Sequence, residues 1–211
     1  FKLTDKHLQF VLLTGVTKFS QVSVFSGFNQ PADISYDSRF DTLCGISKDE
    51  LLTVFKEQIR ELGEMNGMTE EETIEKLKRK YDGYHFSDGM IDVFNPFSLL
   101  NCFQKRKFMD YWFSTGTPTY LMRLLANNHE NINELAGKEY PAAEFVDYKA
   151  TKQRPLPMIY QSGYFTIKGY NRRRDTYLLD FPNEEVRSGM VAALSSDYFG
   201  DTSSPSTWLN D

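Results

Sequence analysis

Pro155-Leu-Pro-Met-Ile-Tyr-Gln-Ser-Gly163, Tyr164-Phe-Thr-Ile167, Lys168-Gly-Tyr-Asn-Arg-Arg-Arg174, Thr176-Tyr-Leu-Leu179 and Pro182-Asn-Glu-Glu-Val186 decide how the last third of this chain folds. The first run suits a short helix with proline in its first turn, closed by Ser162-Gly163. Tyr164 to Ile167 alternates weakly and reads as a strand, Lys168 to Arg174 as a polar turn, and Thr176 to Leu179 as the partner strand. Pro182 opens a helix with Glu184 and Glu185 in its first turn, where the dipole favours acids, and Val186, Met190, Ala193 and Leu194 on one face. Helix, strand, basic turn, strand, helix is the order of a winged-helix-like module, placed here at 150–198. The Ser/Pro-rich stretch that follows, 199–211, reads as a linker or tail.

Upstream, helix signals crowd together. Ser47-Lys-Asp-Glu50 has capping-box spacing, followed by Leu51, Leu52, Phe55, Ile59 and Leu62 at helical intervals, with Gly63 as the stop. Thr69-Glu-Glu-Glu72 starts a second helix with Ile74, Leu77 and Tyr81 on its buried stripe. Asn95-Pro96 starts a third, with Phe97, Leu100 and Phe103 beneath. A fourth begins near Thr117-Pro118, with Leu121, Leu124 and Leu125. Residues 45–130 therefore read as a helical bundle, interrupted by a hairpin around Tyr84 to Val93.

The N-terminal part differs. Phe10-Val-Leu-Leu13 is a continuous apolar run, the mark of a strand buried on both faces, yet no β-α-β rhythm follows it. Leu13-Thr-Gly-Val-Thr-Lys18 places a glycine and a lysine after that strand. A phosphate loop needs several glycines whose N–H groups converge on the phosphates, then Gly-Lys-Ser/Thr, whereas here Phe19 follows the lysine. No strand ends in an aspartate set to organise Mg²⁺. Residues 1–44 read as the C-terminal remnant of an α/β core, and the chain, which starts without Met, as a piece of something longer.

Composition sets the bounds. The 211 residues, 40% hydrophobic and 25% charged, suit one large domain or two small ones. A net charge of −5 argues against a nucleic-acid footprint over the whole surface. Two cysteines, Cys44 and Cys102, lie far apart in apolar surroundings, which suits free thiols in a reducing, cytoplasmic compartment. No apolar run reaches the ~20 residues that span a bilayer, so no membrane partner is expected. His7, His85 and His129 have no ligand partners at metal spacing, and no nucleophile elbow is visible. Hence no catalytic residue and no metal site is assigned, and the chain by itself is not read as an enzyme.

Several long motifs resemble the bacterial AAA-ATPase-like family. They are Phe10 to Asn29, Thr42-Leu-Cys-Gly-Ile46, Lys80-Tyr-Asp-Gly-Tyr-His-Phe86, Phe94-Asn-Pro-Phe-Ser-Leu-Leu100, Asp110 to Thr119, Gln161 to Tyr170 and Phe181 to Val186. The resemblance implies a parent with a P-loop ATPase core, often followed by a PD-(D/E)XK nuclease-like domain. This chain matches the part between the two, so its first partner would be the missing P-loop core, and ATP with Mg²⁺ would belong to the parent. The resemblance further implies nucleotide contacts at Thr14 as a sensor hydroxyl ending a central strand, at Gly116 and Pro118 as a lid motif against adenine, and at Arg123 as a second sensor. Strand-end turn, helix cap and solvated arginine are the plainer alternatives.

The expected fold is thus mainly α with small β elements: core remnant, helical lid and winged-helix-like module. The expected function is non-catalytic coupling of nucleotide state to a partner. One rival is a protein-interaction module using the aromatics of Tyr81 to Phe86 and Tyr111 to Phe113. The other is a DNA-binding adaptor using Lys168, Tyr170, Arg172, Arg173 and Arg174, whose cations would displace counterions from phosphates while Tyr170 stacks. An orphan apolar strand also needs partners, so residues 1–30 are expected to self-associate or fold back onto the lid.

Overall fold

The computed structural model describes residues 7–15, 32–115, 119–146 and 154–200. Within them the fold is α+β and mainly helical, as the sequence leads one to expect. Ser47 begins the bundle: its hydroxyl accepts from the Glu50 amide at 3.3 Å, and Glu50 Oε2 accepts from the Ser47 amide at 2.8 Å. Helix α1 (Lys48–Val54) stops at Phe55, and α2 (Lys56–Asn66) carries on to Gly67, which caps it with φ of 67°. Gly63 is therefore not the stop that the sequence suggests. It lies inside α2, where a Cβ would stand 2.8 Å from both Met68 O and Thr73 Oγ1. Its missing side chain lets α2 press onto the start of α3 (Glu70–Tyr81), which opens with the second capping box, Thr69 and Glu72.

The strand pair β1 (Ile46–Ser47) and β2 (Val93–Phe94) is antiparallel. The hairpin expected over 84–93 reduces to one bridge between Tyr84 and Val93. Asn95 then caps α4 (Pro96–Lys105), its side chain accepting from the Ser98 amide. Leu51, Ile59, Leu62, Leu77, Tyr81, Phe94, Leu99 and Cys102 close the first core.

The second core belongs to the remainder: α5 (Thr119–Asn128), α6 (Ile132–Leu135), β3 (Lys138–Pro141), α7 (Ala142–Phe145), α8 (Pro155–Gln161), β4 (Thr166–Asn171), β5 (Thr176–Asp180) and α9 (Glu184–Gly200). The sheet is antiparallel in the order β3-β5-β4. Helix, strand, turn, strand, helix over 155–200 follows the sequence reading, with β4 starting two residues later and the turn narrowed to 172–175. Strand β3 was not legible, since Lys138-Glu-Tyr-Pro141 carries a proline and is largely exposed as an edge. The boundary at residue 130 also moves, because Leu121, Met122 and Leu125 of α5 pack with Phe145, Ile159 and Leu179 and not with the bundle.

Phe10 to Leu13 form no strand. Phe10 is 81% exposed, and Leu12 and Leu13 are exposed as well. A strand covered on both faces needs flanking strands, and none of the described residues supplies them. Residues 7–15 are exposed along their length. Residues 1–6 and 16–31 of the expected self-associating segment lie outside the described residues.

The two glycines separate by mutation. Gly67→Ala meets open space and should cost only the left-handed backbone penalty, about 1 kcal/mol. Gly63→Ala gains helix propensity but drives a methyl into the Met68 backbone, and should cost about 1–3 kcal/mol in urea unfolding. If Gly63 were the helix stop, that order would reverse.

Candidate functional site

Five segments meet where the bundle abuts the sheet. Helix α3 ends at Tyr81, and the chain leaves it through Asp82 and Gly83. Gly83 has φ of 90°, and a Cβ there would stand 2.5 Å from Pro182 O, so only glycine lets this turn lie against the entry to α9. Strand β4 reaches the same spot by a bulge: Ile167 pairs with Leu179 and Gly169 with Leu178, which leaves Lys168 unpaired and re-aimed. Its ammonium donates to Gly83 O at 2.6 Å and to Pro182 O at 3.0 Å. Burial pushes the Lys168 pKa down, against the opposing pull of Asp92, Asp82 and Asp180.

The next residues continue the seam. The His85 amide donates to Thr166 Oγ1 at 2.8 Å, and the Thr166 hydroxyl donates back to His85 O at 2.9 Å. The buried His85 ring has Nδ1 2.6 Å from Ile167 O and Nε2 2.7 Å from Asp92 Oδ1. Asn183 donates to Asp82 O and caps α9 by accepting from the Val186 amide.

Glu185 lies in the first turn of α9, as the sequence leads one to expect, and is fully buried there. Its carboxylate accepts from Ser98 Oγ at 2.6 Å and from the Trp112 amide at 2.7 Å, which ties α4, α9 and the 111–115 turn together. Burial raises its pKa against the lowering effect of those donors. Asp82 is also buried, and its Oδ1 has no hydrogen-bond partner. Burial pushes its pKa up to about 6, opposed by the Gly83 amide, Lys168 and Lys78. Further along, buried Asp41 accepts from Ser87 Oγ at 2.8 Å and fastens the 32–45 segment to the same loop.

The aromatics of this region are not exposed contacts, contrary to the interaction-module reading. Tyr81 and Tyr111 are buried, Trp112 and Phe113 pack on Tyr164, and Phe113 lies directly over Gly189. Their large apolar area closes the seam from its other side.

Thr14 is exposed in the unpaired 7–15 segment, and Arg123 is exposed on α5. Gly116 and Pro118 lie outside the described residues. On the wing, Lys168 is committed to the seam and Tyr170 is committed to the turn: its hydroxyl donates to Asp175 Oδ1 at 2.7 Å and its ring packs on Tyr177. Arg174 lies 3.6 Å from Glu139, whereas exposed Arg172 and Arg173 make no ion pair among the described residues. Among the described residues no group of three or more His, Cys, Asp or Glu side chains could hold a metal ion, and no helix is long and apolar enough to cross a membrane.

Sequence periodicity could not find Asp82, Ser98, Lys168 or Glu185, because nothing in the local pattern marks a buried polar group. One signal did point there. Lys80–Phe86, Phe94–Leu100, Asp110–Thr119, Gln161–Tyr170 and Phe181–Val186, five of the seven segments on which the resemblance rests, each contribute a residue to this seam.

Truncating the seam should be costly. Lys168→Met keeps the packing but strands two carbonyls, and Glu185→Ala strands the Ser98 hydroxyl and leaves the Trp112 amide only its 3.2 Å bond to Ser98 Oγ. Each should lower stability by about 2–4 kcal/mol in urea unfolding, against less than about 0.5 kcal/mol for the exposed pair variant Arg60→Ala.

The chain is 36% identical, over 205 residues, to an uncharacterized protein encoded in the vnfD 5′ region of Azotobacter chroococcum mcd 1. The match covers 96% of this chain but only 37% of that protein's length. No protein-family model matches the chain, and no solved structure matches it either.

Proposed function

We propose that this chain is the non-catalytic lid and winged-helix-like part of a longer, ATP-binding AAA-like protein, and that it transmits nucleotide state from the lid to the wing. The observation that carries the reading is the seam. The bundle and the three-stranded sheet are fastened by Lys168, Asn183, Glu185 and Thr166, so a displacement of the bundle would move the β4–β5 turn with it. The β3-β5-β4 order, with α7 and α8 between the first two strands in sequence, supports the winged-helix-like label. The greater length of the Azotobacter relative leaves room for a core and further domains. ATP and Mg²⁺ would be held by that core, with Arg123, Gly116 and Pro118 as the contacts this chain would offer.

By this reading the chain alone binds ATP with Mg²⁺ no better than millimolar, since nothing among its described residues cradles the phosphates. Micromolar binding by calorimetry overturns the assignment. In the longer protein, ATP should alter hydrogen exchange at 172–175. Lys168→Met should abolish that response while leaving ATP affinity unchanged, a result that separates transmission from binding.

A second reading, a nucleic-acid contact by the wing, is favoured by the unpaired Arg172 and Arg173 alone. Helix α8 cannot read a groove, because Pro155, Leu156, Pro157 and Ile159 are buried and it carries no charge. Contact would therefore be with phosphates and blind to sequence. Removing both arginines should lower the salt-dependence slope of duplex binding by about two, near one per lost phosphate contact. Absence of binding at low salt ends this reading.

A further inference from the structure

Asp82 is an expensive residue at a joint. It terminates α3, where the helix dipole already disfavours an anion, and one of its oxygens is buried without a donor. Asparagine would fit the same space without the charge. The backbone of Asp82 is meanwhile indispensable to docking, since its carbonyl accepts from Asn183 and the next residue's carbonyl accepts from Lys168. A carboxylate with a buried, unpartnered oxygen therefore sits on the segment that holds the seam shut.

We propose that Asp82 is a release point: its carboxylate keeps the docking of the 82–86 segment onto β4 and the start of α9 close to opening at neutral pH, so that the bundle and the sheet module form a switchable joint. This stands on the seam's geometry and does not depend on nucleotide binding. The charged groups that act on Asp82 come from each neighbouring element: Lys78 from α3, Asp92 from the loop before β2, and Lys168 from β4. Asp92 is in turn held by His85, while the Arg79–Glu184 and Arg187–Asp180 pairs fasten α9 alongside.

The sign follows from the direction of the shift. In the docked state the carboxyl holds its proton up to about pH 6, against an ordinary value of 3.8 once the segment opens. Docking therefore has its full strength below pH 3.8, loses it progressively as pH rises to about 6, and stays weakened above. Two pH units correspond to roughly a hundredfold change in the opening equilibrium.

Hydrogen exchange on this chain at residues 83–86 and 166–168, corrected for intrinsic exchange rates, tests the idea between pH 4.5 and 7.5. The opening constant of the wild type should rise roughly twenty-five-fold over that range, and in Asp82→Asn it should stay low and flat. A flat wild-type profile overturns the proposal. So does an unchanged rise in Asp82→Asn, which would move the effect to Glu185. Should Asp82→Asn not fold, NMR titration of the wild-type carboxyl decides, since an Asp82 midpoint in the ordinary aspartate range is equally fatal. ATP plays no part in these measurements, so their failure leaves the lid assignment standing, and failure of the lid assignment leaves them untouched.

Discussion

The ammonium of Lys168 bound to two backbone carbonyls, Gly83 O and Pro182 O, is the contact on which the arrangement of the two halves depends. Each carbonyl belongs to a chain turn with no helical or strand partner to spend it on, and a buried carbonyl left without a donor is costly. A single flexible cation resolves both. It can do so only because β4 bulges at that residue, and because Gly83 offers no side chain to fill the space that the ammonium occupies. Bulge, glycine and lysine form one device drawn from segments far apart in sequence.

Around this device the seam divides by chemistry. On one side Trp112, Phe113, Tyr164 and Tyr84 supply apolar area, which is tolerant of small shifts. On the other, Glu185, Ser98, Asn183, His85 and Thr166 supply directed hydrogen bonds, which are not. Apolar burial gives the docked state its strength, while the polar bonds fix its register, since a displacement of about 1 Å would break them. Joints built from a single kind of contact are either sticky and imprecise or precise and weak.

What could be read in advance was local. The capping boxes at Ser47 and Thr69, the Asn95-Pro96 start, the helix from Pro155 and the Thr176 strand each owe their position to residues within four of one another, and the structure has them there. Gly63 failed as a stop because a glycine that ends a helix and one that admits a neighbouring backbone look alike in sequence. Phe10 to Leu13 failed because an apolar run states a need for cover without stating that cover exists. Lys168 was read as a wing cation because four basic residues lie close together in sequence. A bulge that no pattern announces turns the first of them inward.

The same distinction bears on the wing. Four cations in seven residues look like a basic surface, yet Lys168 is consumed by the seam and Arg174 sits beside Glu139. Asp175 in the turn offsets part of what remains, and Tyr170, bound to it, stiffens the turn while its ring packs on Tyr177. The residual charge is one or two units on a short rigid tip. That is enough to bias an encounter with a polyanion at low ionic strength, and too little to hold one against physiological salt. A partner recognised through this module would have to be held elsewhere as well, and the wing would then report the angle at which the module is presented more than supply the grip.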